Sequence, residues 1–116
     1  MVTYCLFAEE LARGSLSVAA VAAMQSLMGT YFVYKYGSEA LRARYLVPAL
    51  RGELIATFGL TEPNAGSDVA AITTRAHRRG DRYVLRGTKT WVTSAPVADI
   101  LTVAAKTSDE RGMKSI

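Results

Sequence analysis

The spacing of apolar residues changes near the middle of the chain and divides it into a helical part and a strand-rich part. Apolar residues recur at helical intervals in residues 1–13, and the pattern continues through a long uncharged run between Arg13 and Lys35. Beyond Glu53 the apolar runs become short and are bounded by turn residues, which is typical of strands. Helices followed by strands predict an α+β fold.

Local signals place the ends of the helices. Ser15 or Ser17 can cap the long helix, because a serine hydroxyl accepts a bond from the first free backbone N–H groups. Gly37 is predicted to close that helix, and Ser38 to cap a third one.

The strand-rich part is predicted to be antiparallel, and the pair Gly80-Asp81 predicts a hairpin turn. Residues 70–73 form a turn or a short helix in this interpretation. The predicted strands cover residues 54–60, 74–79, 83–85, 89–93 and 99–106.

The uncharged run is long enough to cross a bilayer, which takes about 20 apolar residues. Serine, glutamine and threonine interrupt it, and the alanines at 19, 20, 22 and 23 are only weakly apolar. A helix buried on most sides in a bundle explains the same pattern, so we expect no membrane partner.

Composition changes this picture little. The 116 residues carry a formal charge of +4, a mild excess that favours acidic ligands such as nucleotide phosphates without indicating nucleic acid. The single cysteine, Cys5, lies beside Leu6 and Phe7 and is predicted to be a small core residue. With one cysteine and no secretory pattern at the N-terminus, we expect a protein that is not secreted.

The stretch from Phe58 to Asp68 joins the two parts and is rich in groups that bind ligands. Pro63 fixes φ, and Gly66 allows close approach to the main chain. The hydroxyls of Thr61 and Ser67, with nearby N–H groups, can form a donor-rich concavity. From chemistry alone, the stretch either binds a ligand or is a polar turn between domains.

Three blocks of sequence resemble the acyl-CoA dehydrogenase family. Leu60-Thr61-Glu62-Pro63 with Ala65-Gly66-Ser67-Asp68 resembles its flavin-binding signature. A second block, at residues 87–94 with Ala98-Asp99, follows the signature. A third, at residues 36–39 and within 45–53, precedes the signature. The resemblance, nearest to the glutaryl-CoA dehydrogenase branch, covers essentially the whole chain but only part of the family's length.

The resemblance implies a helical domain at 1–53 and the opening strands of an antiparallel, barrel-like β domain at 54–116. It implies FAD as the cofactor and Ser67 as a residue that also meets the acyl-CoA substrate. Trp91 offers a flat apolar face to the flavin, although without the resemblance it reads as a core tryptophan. The implied FAD contacts are Phe58, Gly59, Leu60, Thr61, Glu62, Pro63, Asn64, Ala65, Gly66, Ser67, Trp91, Val92 and Thr93.

The implied reaction is oxidation of an acyl-CoA thioester to the trans-2-enoyl-CoA, with hydride passing to FAD and electrons to an electron-transfer flavoprotein. The family's base belongs to a C-terminal bundle outside this chain, so no catalytic residue is expected here. Glu62 is interpreted as structural. The alternative is a noncatalytic flavin- or acyl-CoA-binding or interaction module.

Other implied properties concern the substrate and the setting. The small residues Ala19 to Ala23 are candidates for the wall of the acyl pocket. The glutaryl branch holds the distal carboxylate with an arginine, and Ala19-Ala20 occupies the matching position, which counts against a dicarboxylyl substrate. We expect a homodimer or homotetramer in the cytoplasm, or in the mitochondrial matrix of a eukaryote. His77 is predicted to be an exposed strand residue, and no metal site is expected.

Overall fold

A computed structural model describes residues 2–110 and 112–116. The N-terminal part is helical, and two π-helical segments interrupt it at Met24–Gly29 and Arg42–Leu46. The α-helices are α1 (Val2–Gly14), α2 (Leu16–Ala23), α3 (Tyr31–Tyr36), α4 (Glu39–Leu41) and α5 (Val47–Leu50).

The predicted helix starts are confirmed. The Ser15 hydroxyl accepts a bond from the Val18 N–H at 3.4 Å, and the Ser38 hydroxyl accepts one from the Leu41 N–H at 3.3 Å. Gly37 follows α3 as predicted, but with φ −68° it needs no left-handed backbone. A side chain there would instead collide with the carbonyl of Val33, so the position requires glycine for space.

Gln25, in the first π-helical segment, ties the helices to the chain that follows them. Its side-chain Nε2 donates to the carbonyl oxygens of Ala49 and Leu54 at 3.1 and 2.8 Å. Its Oε1 accepts the Ala56 N–H at 2.9 Å. Gly29 lies against Ala56, where an added Cβ would overlap the backbone. One amide therefore satisfies three backbone groups where the helical part meets the first strand.

The strands are β1 (Ala56–Gly59), β2 (Arg75–Arg79), β3 (Arg82–Arg86) and β4 (Ile100–Val103). β2 and β3 form the predicted antiparallel hairpin, in which Arg75 lies opposite Arg86, His77 opposite Val84 and Arg79 opposite Arg82. The turn between them contains Gly80 at φ +63°, a left-handed conformation that favours glycine.

β1 pairs with β4 in a separate two-stranded sheet. The Ile100 N–H donates to the Ile55 carbonyl, and the Ala104 N–H donates to the Gly59 carbonyl, so the two strands advance in the same direction. An isolated bridge between Arg75 and Lys106 is also parallel. The antiparallel prediction therefore holds for the hairpin, whereas strands far apart in sequence are free to pair in parallel.

The predicted strand at 89–93 is wrong, because these residues form a loop. Trp91 has φ +55°, and Ser94 has φ +64°, conformations that a strand does not contain. The predicted turn at 70–73 overlaps a 3₁₀ turn at Val69–Ala71.

The expectation that the long helix is buried on most sides is also wrong for this chain. Leu16, Val18 and Val21 are 75%, 55% and 67% exposed. Cys5, predicted to be a core residue, is exposed, and α1 holds no buried residue. α1 and α2 contact each other, and the apolar side chains of Leu6, Phe7 and Val21 remain exposed.

Leu16–Tyr36 is long and apolar enough to cross a membrane by length and composition. The core helices of soluble proteins have the same length and composition, so this property alone does not establish a membrane span.

Contacts divide the chain into two compact units. The first contains Met1–Thr57 with Ser94–Leu101, and the second contains Phe58–Thr93 with Thr102–Ile116. Small side chains dominate both interiors. Among the residues that the structure describes, the buried apolar side chains are Ala19, Leu46, Ala49 and Ala56 in the first unit, and Ala65, Ile72, Ala76 and Ala105 in the second.

Candidate functional site

The signature stretch begins at the end of β1 and folds into a tight turn within the second unit. The Glu62 N–H donates to the Ala65 carbonyl at 2.9 Å, and the Ala65 N–H donates to the Glu62 carbonyl at 3.2 Å. Pro63 and Asn64 occupy the two central positions of this turn, where proline supplies the fixed φ and asparagine tolerates the bend. Glu62 and Ala65 are buried, so the turn is anchored at both ends.

The carboxylate of Glu62 is fully hydrogen-bonded. Its Oε2 accepts the Thr73 N–H at 2.6 Å and the Thr73 hydroxyl at 2.7 Å. Its Oε1 accepts the Thr74 N–H at 3.0 Å and the Lys89 ammonium at 2.7 Å. The side chains of Glu62 and Lys89 are only 1% and 10% exposed, so this is a buried ion pair.

Burial raises the pKa of Glu62, but the hydrogen bonds from Lys89, Thr74 and Thr73 lower it by more. The pKa therefore lies far below the usual range of a glutamate. A carboxylate that is so weakly basic, and whose oxygens are all occupied, is not suited to removing a proton. Its geometry is that of the structural residue predicted from the sequence.

A second loop, residues 87–94, lies against the signature stretch. The Lys89 ammonium donates to the Leu60 carbonyl at 2.8 Å as well as to Glu62. The Thr90 N–H donates to the Thr61 carbonyl at 2.9 Å. These bonds hold the two loops side by side. We call residues 58–67 the signature loop and residues 87–94 the tryptophan loop.

The tryptophan loop presents its indole to solvent. Trp91 is 91% exposed and has a left-handed φ of +55°, which is unusual for a bulky residue. Backbone strain of this kind persists only where surrounding contacts hold it in place, and it clusters at sites that bind ligands. The bonds from Lys89 and Thr90, immediately before Trp91, supply such contacts.

A cavity of about 500 Å³ opens between the loops, lined by Glu62, Pro63, Thr90 and Trp91. Its volume is in the usual range for small-molecule sites. Buried within its wall, the Thr90 hydroxyl has no hydrogen-bond partner among the residues that the structure describes. An aromatic face beside polar backbone matches the chemistry of a flat heteroaromatic ligand.

The structure places the predicted site residues at different depths. Glu62, Pro63 and Trp91 line the cavity, whereas the lining does not include Ser67, Val92 or Thr93. The remaining signature residues divide into a buried or half-buried group (Phe58, Gly59, Leu60, Thr61, Ala65) and an exposed group (Asn64, Gly66, Ser67).

The predicted set omits Lys89 and Thr90, which the structure brings to the site. A signal was present in the sequence, because Lys89 is the only charged residue between Gly87 and Ala98. A lone charge in such a run requires a counter-ion when the run folds against protein.

His77, as predicted, is exposed on β2. Within the described residues, no group of three His, Cys, Asp or Glu side chains could hold a metal ion.

Sequence comparison identifies the family. The model of the acyl-CoA dehydrogenase N-terminal domain matches residues 1–53, and that of the acyl-CoA dehydrogenase middle domain matches residues 57–116. The chain belongs to the acyl-CoA dehydrogenase family. The family resemblance and the α+β fold that it implied are therefore confirmed.

Individual members of the family show the same likeness. The benzylmalonyl-CoA dehydrogenase of Aromatoleum aromaticum is 52% identical over 93% of this chain, and the glutaryl-CoA dehydrogenase of Desulfococcus multivorans is 40% identical over 93%. The structure of a Mycobacterium smegmatis glutaryl-CoA dehydrogenase in complex with FADH2 is 40% identical. It superposes with a TM-score of 0.75, covering 78% of this chain and 24% of that one.

The chain spans 29% and 28% of the lengths of these two dehydrogenase sequences. It therefore corresponds to less than a third of an acyl-CoA dehydrogenase. That portion holds the family's N-terminal and middle domain sequences, with the signature loop and the tryptophan loop in the middle domain part.

Proposed function

We propose that this chain supplies part of the FAD site of an acyl-CoA dehydrogenase. The observation that carries the proposal is the cavity between the signature loop and the tryptophan loop. Its wall contains the exposed indole of Trp91, whose backbone is left-handed. Lys89, in the same loop, anchors this segment by a hydrogen bond to the Leu60 carbonyl. A relative of similar fold is known in complex with FADH2. Family membership and the shape of the cavity thus support the same cofactor.

In this proposal the residues of both loops bind and orient FAD, which supplies the redox chemistry when bound. Trp91 provides a flat apolar surface for the ring system. Thr61, Val92 and Thr93 lie on the same two loops, and polar groups there can bond the edge of the ring and tune its electron affinity. Phe58 to Ser67 complete the predicted wall.

The substrate in this proposal is an acyl-CoA. A second cavity, of about 420 Å³, lies along α2 and is lined by Ser17, Val18, Val21, Ala22 and Gln25. Its surface is almost entirely apolar, which suits an acyl chain.

The position predicted for a carboxylate-binding arginine is occupied by Ala19-Ala20, and Ala19 is buried. Two relatives are named for glutaryl-CoA and benzylmalonyl-CoA, so the family includes acyl groups of quite different shape. The apolar wall of α2 favours an acyl group without a distal carboxylate.

We infer that the whole protein oxidises this thioester to the trans-2-enoyl-CoA and passes electrons to an electron-transfer flavoprotein. In this proposal the base that removes the α proton lies outside this chain, and Glu62 does not take its place because its ionised carboxylate is paired with Lys89 and hydrogen-bonded on both oxygens. We further propose a homodimer or homotetramer in the cytoplasm or mitochondrial matrix. The second candidate is a noncatalytic flavin- or acyl-CoA-binding or interaction module. It is favoured by the extent of apolar surface that the helices leave uncovered.

The test is a titration of the purified chain with FAD, followed by quenching of flavin fluorescence and by native mass spectrometry. We expect a 1:1 complex that Trp91→Ala weakens. Tyr83→Ala is the matched control, because Tyr83 is an exposed aromatic residue on β3 outside the cavity lining. Equal FAD affinity of folded Trp91→Ala and wild-type chains would refute the assignment of Trp91. A chain that takes up no FAD at any concentration would leave the site assignment without support.

A further inference from the structure

We propose that Lys89 is a positioning residue for FAD, acting through the register of the two loops that bind it. The inference rests on the proposed function, because it concerns how the FAD site is assembled. In this proposal Lys89 does not contact the flavin ring itself. Its ammonium joins the carbonyl of Leu60 and the carboxylate of Glu62, both in the signature loop, to the base of the tryptophan loop.

Lys89 and the residue that follows it make three hydrogen bonds to the signature loop. The Lys89 ammonium donates two hydrogen bonds to the signature loop, to the Leu60 carbonyl at 2.8 Å and to the Glu62 carboxylate at 2.7 Å. The next residue, Thr90, donates its backbone N–H to the Thr61 carbonyl at 2.9 Å. Trp91 follows directly. Because the side-chain bonds of Lys89 and the backbone bond of Thr90 come from consecutive residues, they fix the direction of the chain where it enters Trp91.

Trp91 cannot hold its own position. Its indole is 91% exposed and therefore gains almost nothing from packing, while its left-handed φ is unfavourable for an aromatic residue. The bonds of Lys89 and Thr90, the two residues that precede it, therefore contribute to the orientation of the ring. The bonds of Lys89 and the backbone bond of Thr90 join the tryptophan loop to the signature loop at the two residues before Trp91.

The anchor on the signature loop is itself fixed. The second oxygen of Glu62 is held by both the N–H and the hydroxyl of Thr73. A carboxylate bound on both sides cannot rotate to follow a displaced partner. Lys89 is therefore the adjustable member of the pair, and its loss should release the tryptophan loop while the turn at Pro63 persists.

Two variants and a control separate position from stability. Lys89→Met leaves Glu62 buried and charged without its partner, a change that can unfold the chain. The double variant Glu62→Gln with Lys89→Met removes both charges, which restores electrical balance but not the bond between the loops. Lys114→Met is the control, because Lys114 is exposed and lies outside both loops in the sequence.

Each folded chain is compared with wild type by FAD titration, by the visible absorption of bound flavin and by hydrogen exchange at the Thr90 amide without ligand. We expect the double variant to fold. It should bind FAD about tenfold more weakly or worse, because the surface of the tryptophan loop that binds the ring is misplaced. Its Thr90 amide should exchange faster than that of wild type. The flavin spectrum should lose the fine structure of an enclosed ring.

A folded double variant with wild-type FAD affinity and a wild-type Thr90 exchange rate would overturn the proposal. A double variant that fails to fold would overturn it as well, since Lys89 would then act on the fold as a whole. Failure of the wild-type chain to take up FAD would instead overturn the proposed function. In that event the Thr90 exchange rates still decide whether Lys89 sets the register of the loops.

Discussion

Replacing Lys89 with methionine removes the ammonium that neutralises Glu62 and keeps a side chain of similar length. Glu62 is 1% exposed in its side chain and sits 2.7 Å from the Lys89 nitrogen. Its charge cannot be shared with solvent, so the cost of its burial is no longer offset when the ammonium is lost. Deleting one partner of such a pair costs about 3–5 kcal/mol. The hydrogen bonds from Thr73 and Thr74 persist and keep the loss near the lower end of that range.

This loss is large beside the total stability of a small protein, about 5–15 kcal/mol. Urea denaturation followed by circular dichroism measures it directly. Glu62→Gln combined with Lys89→Met should recover much of the loss, because no buried charge is left over. Lys114→Met should stay within about 0.5 kcal/mol of wild type. A loss below about 1 kcal/mol in Lys89→Met, in the range of exposed ion pairs, would refute the assignment of a buried pair.

Three further predictions concern pH, Gln25 and the hairpin. The folded-state pKa of Glu62 is depressed, so its contribution to stability is present above the ordinary carboxyl pKa and declines as pH falls below it. Glu62→Gln should flatten that decline in thermal melts, and an unchanged acid profile would contradict the assignment. Gln25→Ala should cost about 1–3 kcal/mol in urea denaturation, because it leaves backbone groups of Ala49, Leu54 and Ala56 without partners; a smaller effect would mean that water replaces the amide. Arg79→Glu should stabilise by about 0.2–1 kcal/mol by relieving the opposition to Arg82, an effect that added salt should weaken.

Much of the local structure could be predicted because its causes are local. Ser15 and Ser38 cap helices through N–H groups three residues away, and Gly80-Asp81 turns the chain between adjacent strands. Such interactions need no knowledge of the rest of the fold. The structural role of Glu62 followed from its place before a proline in the signature. The structure then supplied the four donors that its carboxylate accepts.

The errors arose where distant parts of the chain decide the outcome. Residues 89–93 have the composition of a strand, but bonds from Lys89 and Thr90 to the signature loop hold Trp91 in a left-handed conformation. The long helix has the composition of a buried one, yet apolar composition does not specify what covers it. Its side chains at Leu16 and Val21 are exposed because the described chain supplies no partner for that face.

The sequence by itself determined the α+β order, the helix starts, the hairpin and membership of the family, because each depends on residues close together or on a motif read in order. Only the tertiary structure decided that Glu62 pairs with Lys89, 27 residues away, and that the two loops line a cavity beside Trp91. An ion pair across that distance forms only after the loops have folded together. Its existence is therefore a property of the packed chain, and no local pattern contains it.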